Sequence, residues 1–123
     1  MKKELEKTTP QANVVVEWAP FQLAPDTTEE QLLRAAHEIQ DAFLQQQPGF
    51  LRRELLRARD GGFVDVLHWR DQAAVDAAMQ IATTHPACAR YFACMASAEH
   101  DPSANGMLFF ERVSFFPERG TSS

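Results

Sequence analysis

FLRRELLRARDGGFVDVLHW, Phe50 to Trp69, reads as two strands joined by a tight turn. Both halves are rich in leucine, β-branched and aromatic residues, and the Asp-Gly inside RDGG supplies the backbone that a tight hairpin needs. Phe50–Ala58 and Phe63–Trp69 are therefore predicted to pair antiparallel. On the second strand, alternation sends Phe63, Asp65, Leu67 and Trp69 to one face and Val64, Val66 and His68 to the other.

The flanks extend this hairpin in both directions. Upstream, Pro48-Gly49 stops a helical pattern in which Leu32, Ala36, Ile39 and Phe43 recur, opened by the T-x-x-E capping box of Thr27 and Glu30. Before it, NVVVEWAPF, Asn13 to Phe21, has the composition of a first strand, closed by Pro20. Downstream, Asp71 caps a second helix carrying Val75, Ala78, Met79 and Ala82. Pro86 breaks it near His85, and a further helical piece with Tyr91, Phe92 and Met95 follows. The polar loop HDPSANG leads to MLFFERVSFF, Met107 to Phe116, as the last strand. Residues 1–12 form a charged leader, 13–116 a single domain and 117–123 a loose tail.

The order β-α-β-β-α-β defines an α+β, ferredoxin-like arrangement. Right-handed crossovers place both helices on one face of a four-stranded antiparallel sheet. The second strand then lies at an edge, where Arg52, Arg53, Arg57 and Arg59 discourage unwanted strand pairing. The last strand is apolar on both parities, with Leu108, Phe110 and Phe116 on one and Met107, Phe109, Val113 and Phe115 on the other. One chain has no third layer for the open face, so a second copy is predicted to cover it, sheet against sheet, as a homodimer.

Composition narrows the partners. A chain of 123 residues, 45% hydrophobic and 24% charged, fits one domain. Its charge of −5, from 12 basic and 17 acidic residues, offers no surface to nucleic acid or to an anionic membrane. MKKELEK is followed by no apolar stretch, and nowhere do 18 apolar residues run together, which predicts a soluble cytoplasmic protein. Cys88 and Cys94, six positions apart, would stand about 9 Å apart on one helix, too far for a disulfide. All three lysines, Lys2, Lys3 and Lys7, fall in the leader, which removes Schiff-base catalysis by the folded body. No phosphate-binding glycine pattern and no G-x-S-x-G are present.

PGFLRRELLRARDGGFVDVLHW, RDQAAVDAAM and HPACARYF together resemble the dimeric α/β-barrel superfamily, and within it the antibiotic biosynthesis monooxygenase (ABM)-like proteins, over residues 13–116. That resemblance implies a pocket between sheet and helices. Trp69 closes the third strand at its border, Asp65 lies on the same wall, Arg90 is the cation approaching that wall, and Tyr91 is nearby. It also implies a reaction without cofactor or metal, in which a small aromatic, quinol or polyketide-type molecule is deprotonated and the electron-rich anion reduces dioxygen. Asp65 or His85 would be the base, Arg90 the anion stabiliser, and Trp69 and Tyr91 the substrate wall.

Two other readings stay open. Many active relatives carry a histidine in the second helix nine or ten residues after the tryptophan, where this chain has Ala78 and Met79. That difference favours a non-catalytic ligand-binding or accessory module, and the same fold also serves acid-base isomerases and dehydratases. Asp65 and Arg90 would then form an ion pair and Trp69 a core plug. His68, on the opposite parity, is expected at the dimer face or its rim, and His85-x-x-Cys88 lacks the further ligands of a metal site.

Overall fold

The computed structural model describes residues 14–97 and 106–120. The expected leader, most of the HDPSANG loop and the last three tail residues lie outside the described residues. The chain runs β1 (Val15–Phe21), α1 (Glu29–Ala42), a 3-10 turn (Leu44–Gln46), β2 (Phe50–Arg57), β3 (Phe63–Trp69), α2 (Gln72–Ala82), α3 (Pro86–Phe92) and β4 (Leu108–Glu111). The strands form one antiparallel sheet in the order β2-β3-β1-β4. This is the expected ferredoxin-like fold, with β2 at an edge.

Local chemistry accounts for the element boundaries. Helix α1 does carry a capping box, but one residue later than expected. Thr28 caps Gln31 N at 3.1 Å and Gln31 Oε1 accepts from Thr28 N at 2.8 Å. The sequence TTEEQ offers the box in two registers, and the one used places Glu29 and Glu30 in the first turn, where the helix dipole favours negative charge. Asp71 caps α2 as predicted, accepting from Ala74 N at 2.9 Å. His85 caps α3 through Nδ1, which accepts from Ala87 N at 3.2 Å, with Pro86 in the first helical turn. Between α1 and β2, Gly49 has φ +90°, and a Cβ there would meet the Ala74 Cβ at 2.5 Å. Only glycine satisfies both demands.

Two strands depart from expectation. Pro20 does not close β1 but lies inside it, opposite Val64. It is tolerated because β4 pairs only with Val15–Trp18, leaving β1 partnered on one side at Pro20. The last strand spans four residues rather than ten. Beyond Glu111 the partner runs out, since Glu111 already faces Val15 at the start of β1 and the ladder ends with Arg112 N donating to Val14 O.

The core lies between the sheet and the helices. Val15, Phe21, Phe63, Leu67 and Trp69 from the sheet pack on Leu32, Ala36 and Ile39 of α1, Ala74, Val75 and Ala78 of α2, and Cys88 and Tyr91 of α3. Cys88 and Cys94 are buried free thiols. The other sheet face carries Val16, Trp18, Leu56, Val64, Leu108 and Phe110 by register. Of these, Trp18, Leu56, Leu108 and Phe110 are exposed. Among the described residues no helix is long and apolar enough to cross a membrane.

Candidate functional site

Five strand residues and one helical residue converge between sheet and helices. Alternation along β3 turns Asp65, Leu67 and Trp69 inward. Register places Glu17 of β1 and Arg53 of β2 on either side of Leu67, on the same face. Helix α3 lays Tyr91 over them, its end tied to the chain after β1 by Ala24 N donating to Cys94 O and Ala96 N to Gln22 O, both at 2.8 Å. Glu17 and Asp65, each 5% exposed, are the buried carboxylates among the described residues.

Their surroundings differ sharply. Arg53 grips Asp65 with both arms, Nε to Oδ1 at 2.9 Å and Nη2 to Oδ2 at 3.2 Å. The Tyr91 hydroxyl donates to Oδ2 at 2.6 Å. The remaining arm of Arg53, Nη1, donates to the Ala36 carbonyl at 3.0 Å and to Gln40 Oε1 at 3.1 Å, and the guanidinium lies 5.1 Å from the Tyr91 ring centroid. A planar guanidinium saturated in this way is well suited to holding a buried carboxylate in one geometry. Burial, reinforced by the charge of Asp65, raises the Tyr91 hydroxyl far above its ordinary value, so it serves as a neutral donor.

The Glu17 side chain has one hydrogen bond among the described residues, donated by Trp69 Nε1 to Oε1 at 3.0 Å. Burial pushes its carboxyl up to about 7. The Trp69 bond works against that rise, the negative charge of Asp65 adds to it, and Arg53 opposes it.

These groups border a cavity of about 50 Å³. Its remaining wall is apolar, with Ile39, Leu67, Ala78 and Met79 inside and Phe92 and Met107, both exposed, at its rim. The enclosed space suits one or two waters and is smaller than the roughly 150 Å³ that holds a benzene ring. Ala78 and Met79, which stand nine and ten residues after Trp69, both line it.

Trp69, Asp65 and Tyr91 thus come together as expected; Arg90 and His85 do not join them. Neighbouring residues on a helix point about 100° apart, and with Tyr91 turned inward Arg90 faces out. Its Nε and Nη2 hold Glu38 at 3.0 and 2.6 Å on the surface, so the cation on Asp65 is Arg53 instead. His85 uses Nδ1 as a helix cap and its ring packs edge-on against Phe43, one layer behind the cavity. Arg53 is therefore no edge guard, unlike Arg52, Arg57 and Arg59, which are exposed. Glu17 and Arg53 were missed in the sequence. Their only signal is a charged residue on the parity of core-facing neighbours, the buried Val15 and Phe21 for Glu17 and the half-buried Leu55 for Arg53.

His68 lies on the open face, opposite Val16 and Arg52. Its Nδ1 is buried without a hydrogen-bond partner among the described residues. Burial, then the charges of Arg52 and Arg112, lower its pKa, which favours the neutral ring.

A four-stranded antiparallel sheet backed by helices, with a small apolar cavity bordered by a strand-end tryptophan, defines the class: a ferredoxin-like α+β domain with a cavity between sheet and helices. The chain belongs to the antibiotic biosynthesis monooxygenase family, whose model matches residues 15–92. Among solved structures it is similar to SnoaB from Streptomyces nogalater, described as a cofactor-independent oxygenase. A mutant of that protein is 24% identical with a TM-score of 0.68, covering 87% of this chain and 100% of SnoaB. A second SnoaB structure is 23% identical with a TM-score of 0.64 over the same shares. A conserved protein from Methanosarcina mazei Go1 is 8% identical with a TM-score of 0.62, covering 84% of this chain and 96% of its own. At these identities the likeness is one of fold. No curated protein matches the chain.

Proposed function

We propose that this protein is a cytoplasmic, cofactor-independent oxygenase acting on a small aromatic, quinol or polyketide-type molecule. The observation that carries the reading is the apolar cavity with Trp69 as one wall and buried ionisable groups at its floor. Such a site can bind a phenolic edge, take its proton and hold the resulting anion out of water. The overall step is balanced without any helper: a ring C–H and an O–H plus dioxygen give a quinone carbonyl and one water. One oxygen atom enters the ring and the other leaves as water, the substrate supplying all the electrons. Asp65, fixed by Arg53 and Tyr91, serves as the rigid polar floor and Trp69 as the stacking wall. Because the enclosed volume is small, the reacting edge enters it while the rest of the molecule lies between Phe92 and Met107.

Oxygen uptake with hydroquinones and polycyclic phenols tests this reading. The native protein is expected to exceed the autoxidation background, and Trp69→Phe to lower kcat/KM roughly tenfold or more, through loss of stacking area and of the indole donor. Uptake indistinguishable from background for every substrate would reject it. The second reading, a non-catalytic ligand-binding module, is favoured by one observation: both oxygens of Asp65 are already engaged by Arg53 and Tyr91. Binding without turnover would select it, and turnover without oxygen uptake would select an isomerase or dehydratase.

The working unit we propose is a homodimer joined through the open sheet face. Trp18 and Phe110, 38% and 52% exposed, together with Leu56 and Leu108, make a continuous apolar surface of the kind a soluble monomer rarely leaves bare. Light scattering on the eluting protein is expected to give twice the chain mass, and Phe110→Glu to give the monomer. A monomeric native protein would overturn the assignment.

A further inference from the structure

The two buried carboxylates are not equivalent, and their surroundings assign them different tasks. Asp65 is the counter-ion of a buried guanidinium, with Oδ1 and Oδ2 both bonded to Arg53 and Oδ2 also to Tyr91. Both of its oxygens are thus committed to holding Arg53 and Tyr91 in place. Glu17 accepts one hydrogen bond, on Oε1 from Trp69, and no cation bonds to it among the described residues. It borders the same cavity as the tryptophan face.

Resting on the oxygenase reading above, we propose that Glu17 is the catalytic base: its Oε2 takes the hydroxyl proton of a phenolic or enolic substrate held against Trp69. The substrate O–H bond breaks with its electron pair staying on oxygen, and a new O–H bond forms on the carboxylate. After dioxygen has added to a ring carbon, the hydrogen on that carbon passes as a proton to the outer peroxide oxygen, the C–H electron pair forms the new carbonyl as the O–O bond breaks, and Glu17 returns its proton to the departing hydroxide, which leaves as water and restores the carboxylate. Trp69 is thereby also a positioning residue, since its indole N–H fixes Oε1 and leaves the other oxygen for the cavity.

The charged and titratable groups that face Glu17 are few. Asp65 comes from β3, Arg53 from β2, and Tyr91 and Cys88 from α3, while α1 and α2 present apolar side chains and β4 sets Phe109 opposite it. Tyr91 is held neutral, and burial raises the Cys88 thiol to about 11, so neither competes as a base near neutrality. Asp65 and Arg53 neutralise each other, which leaves desolvation to set the affinity of Glu17 for a proton. The result, about 7, is the range in which a carboxylate accepts and returns a proton with least loss in either direction.

The test pairs activity with a readout that needs none. The Trp69 indole N–H resonance, followed by NMR across the neutral range, is expected to titrate with an inflection near 7 in the native protein and to lose it in Glu17→Gln. The kcat/KM profile, which reports the free protein, should rise through the same inflection. Glu17→Gln should lower kcat by about 10²–10⁴-fold and flatten the profile, Glu17→Asp should restore part of the rate, and Asp65→Asn should retain an inflection displaced to lower pH, because the charge of Arg53 then acts on Glu17 unopposed. Persistence of the NMR inflection in Glu17→Gln, or a kcat within threefold of native, would overturn the assignment. If no variant consumes oxygen, the oxygenase reading fails on its own. The base is then judged by 2-naphthol, whose absorption separates phenol from phenolate: bound phenolate lost in Glu17→Gln supports Glu17, and bound phenolate retained overturns it.

Discussion

Arg53→Met is expected to destabilise the fold by about 3–5 kcal/mol, read as a lowered urea midpoint with an unchanged slope. The side chain of Arg53 is 7% exposed, and its guanidinium satisfies Asp65, the Ala36 carbonyl and Gln40 at once. Methionine fills much of the volume but supplies no donor. Asp65 would then be left inside an apolar site with Tyr91 as its one side-chain partner among the described residues, and the cost is that of stranding a buried carboxyl group rather than of losing one hydrogen bond. The double variant Arg53→Met, Asp65→Leu should recover at least about half of the loss, because replacing a buried pair by apolar groups is often close to neutral. A loss below about 1 kcal/mol for Arg53→Met alone would show that Asp65 is solvated, and the frame assigned to the cavity floor would not stand.

The same residue marks how far the sequence could be read. The hairpin, the order of elements and the shared parity of Asp65, Leu67 and Trp69 follow from local rules, because turn dipeptides and a period of two need no knowledge of the rest of the chain, while the inward sense of that face came from the family resemblance. Tyr91 was legible through the same resemblance, as an aromatic residue of the short helix that follows Pro86. Which arginine reaches Asp65 was not. Arg53 and Arg90 are chemically equal candidates, and the choice depends on α3 rotating Tyr91 inward, a tertiary fact that sends Arg90 to Glu38. Glu17 was hidden more deeply. The stretch VVVEWAPF is apolar on both parities, so alternation could not say which face was buried. Its burial is tolerable because an indole 52 residues away supplies a donor, and no local pattern carries that pairing. The shifted capping box has the opposite origin: TTEEQ permits two registers, and a difference of one residue alters neither the buried stripe of α1 nor the site.

Glu17→Gln should stabilise the protein at alkaline pH by about 3 kcal/mol while leaving its stability at acid pH nearly unchanged. The sign follows from burial. Folding raises the Glu17 carboxyl from 4.5 to about 7, so between those values the folded state binds a proton that the unfolded state has released. Below pH 4.5 both states are protonated and the residue costs nothing through this linkage. As the pH rises through the window, the unfolded chain gains from ionisation first, and the fold loses stability until about pH 7, above which the penalty is complete. Glutamine keeps an oxygen for the Trp69 N–H and cannot ionise, so the penalty disappears and the bond remains. Urea unfolding of both proteins from about pH 4 to pH 9 measures the difference directly. It should open through the window and stay constant above it. A difference independent of pH, or a native protein that is the more stable one at pH 9, would mean that Glu17 ionises without cost and is not desolvated. The expected result has a functional meaning as well. A substitution that strengthens the fold while slowing turnover is the signature of a group kept buried and under-solvated for its chemistry, and Asp65, bound by Arg53 and Tyr91, should show no such gain when replaced by asparagine.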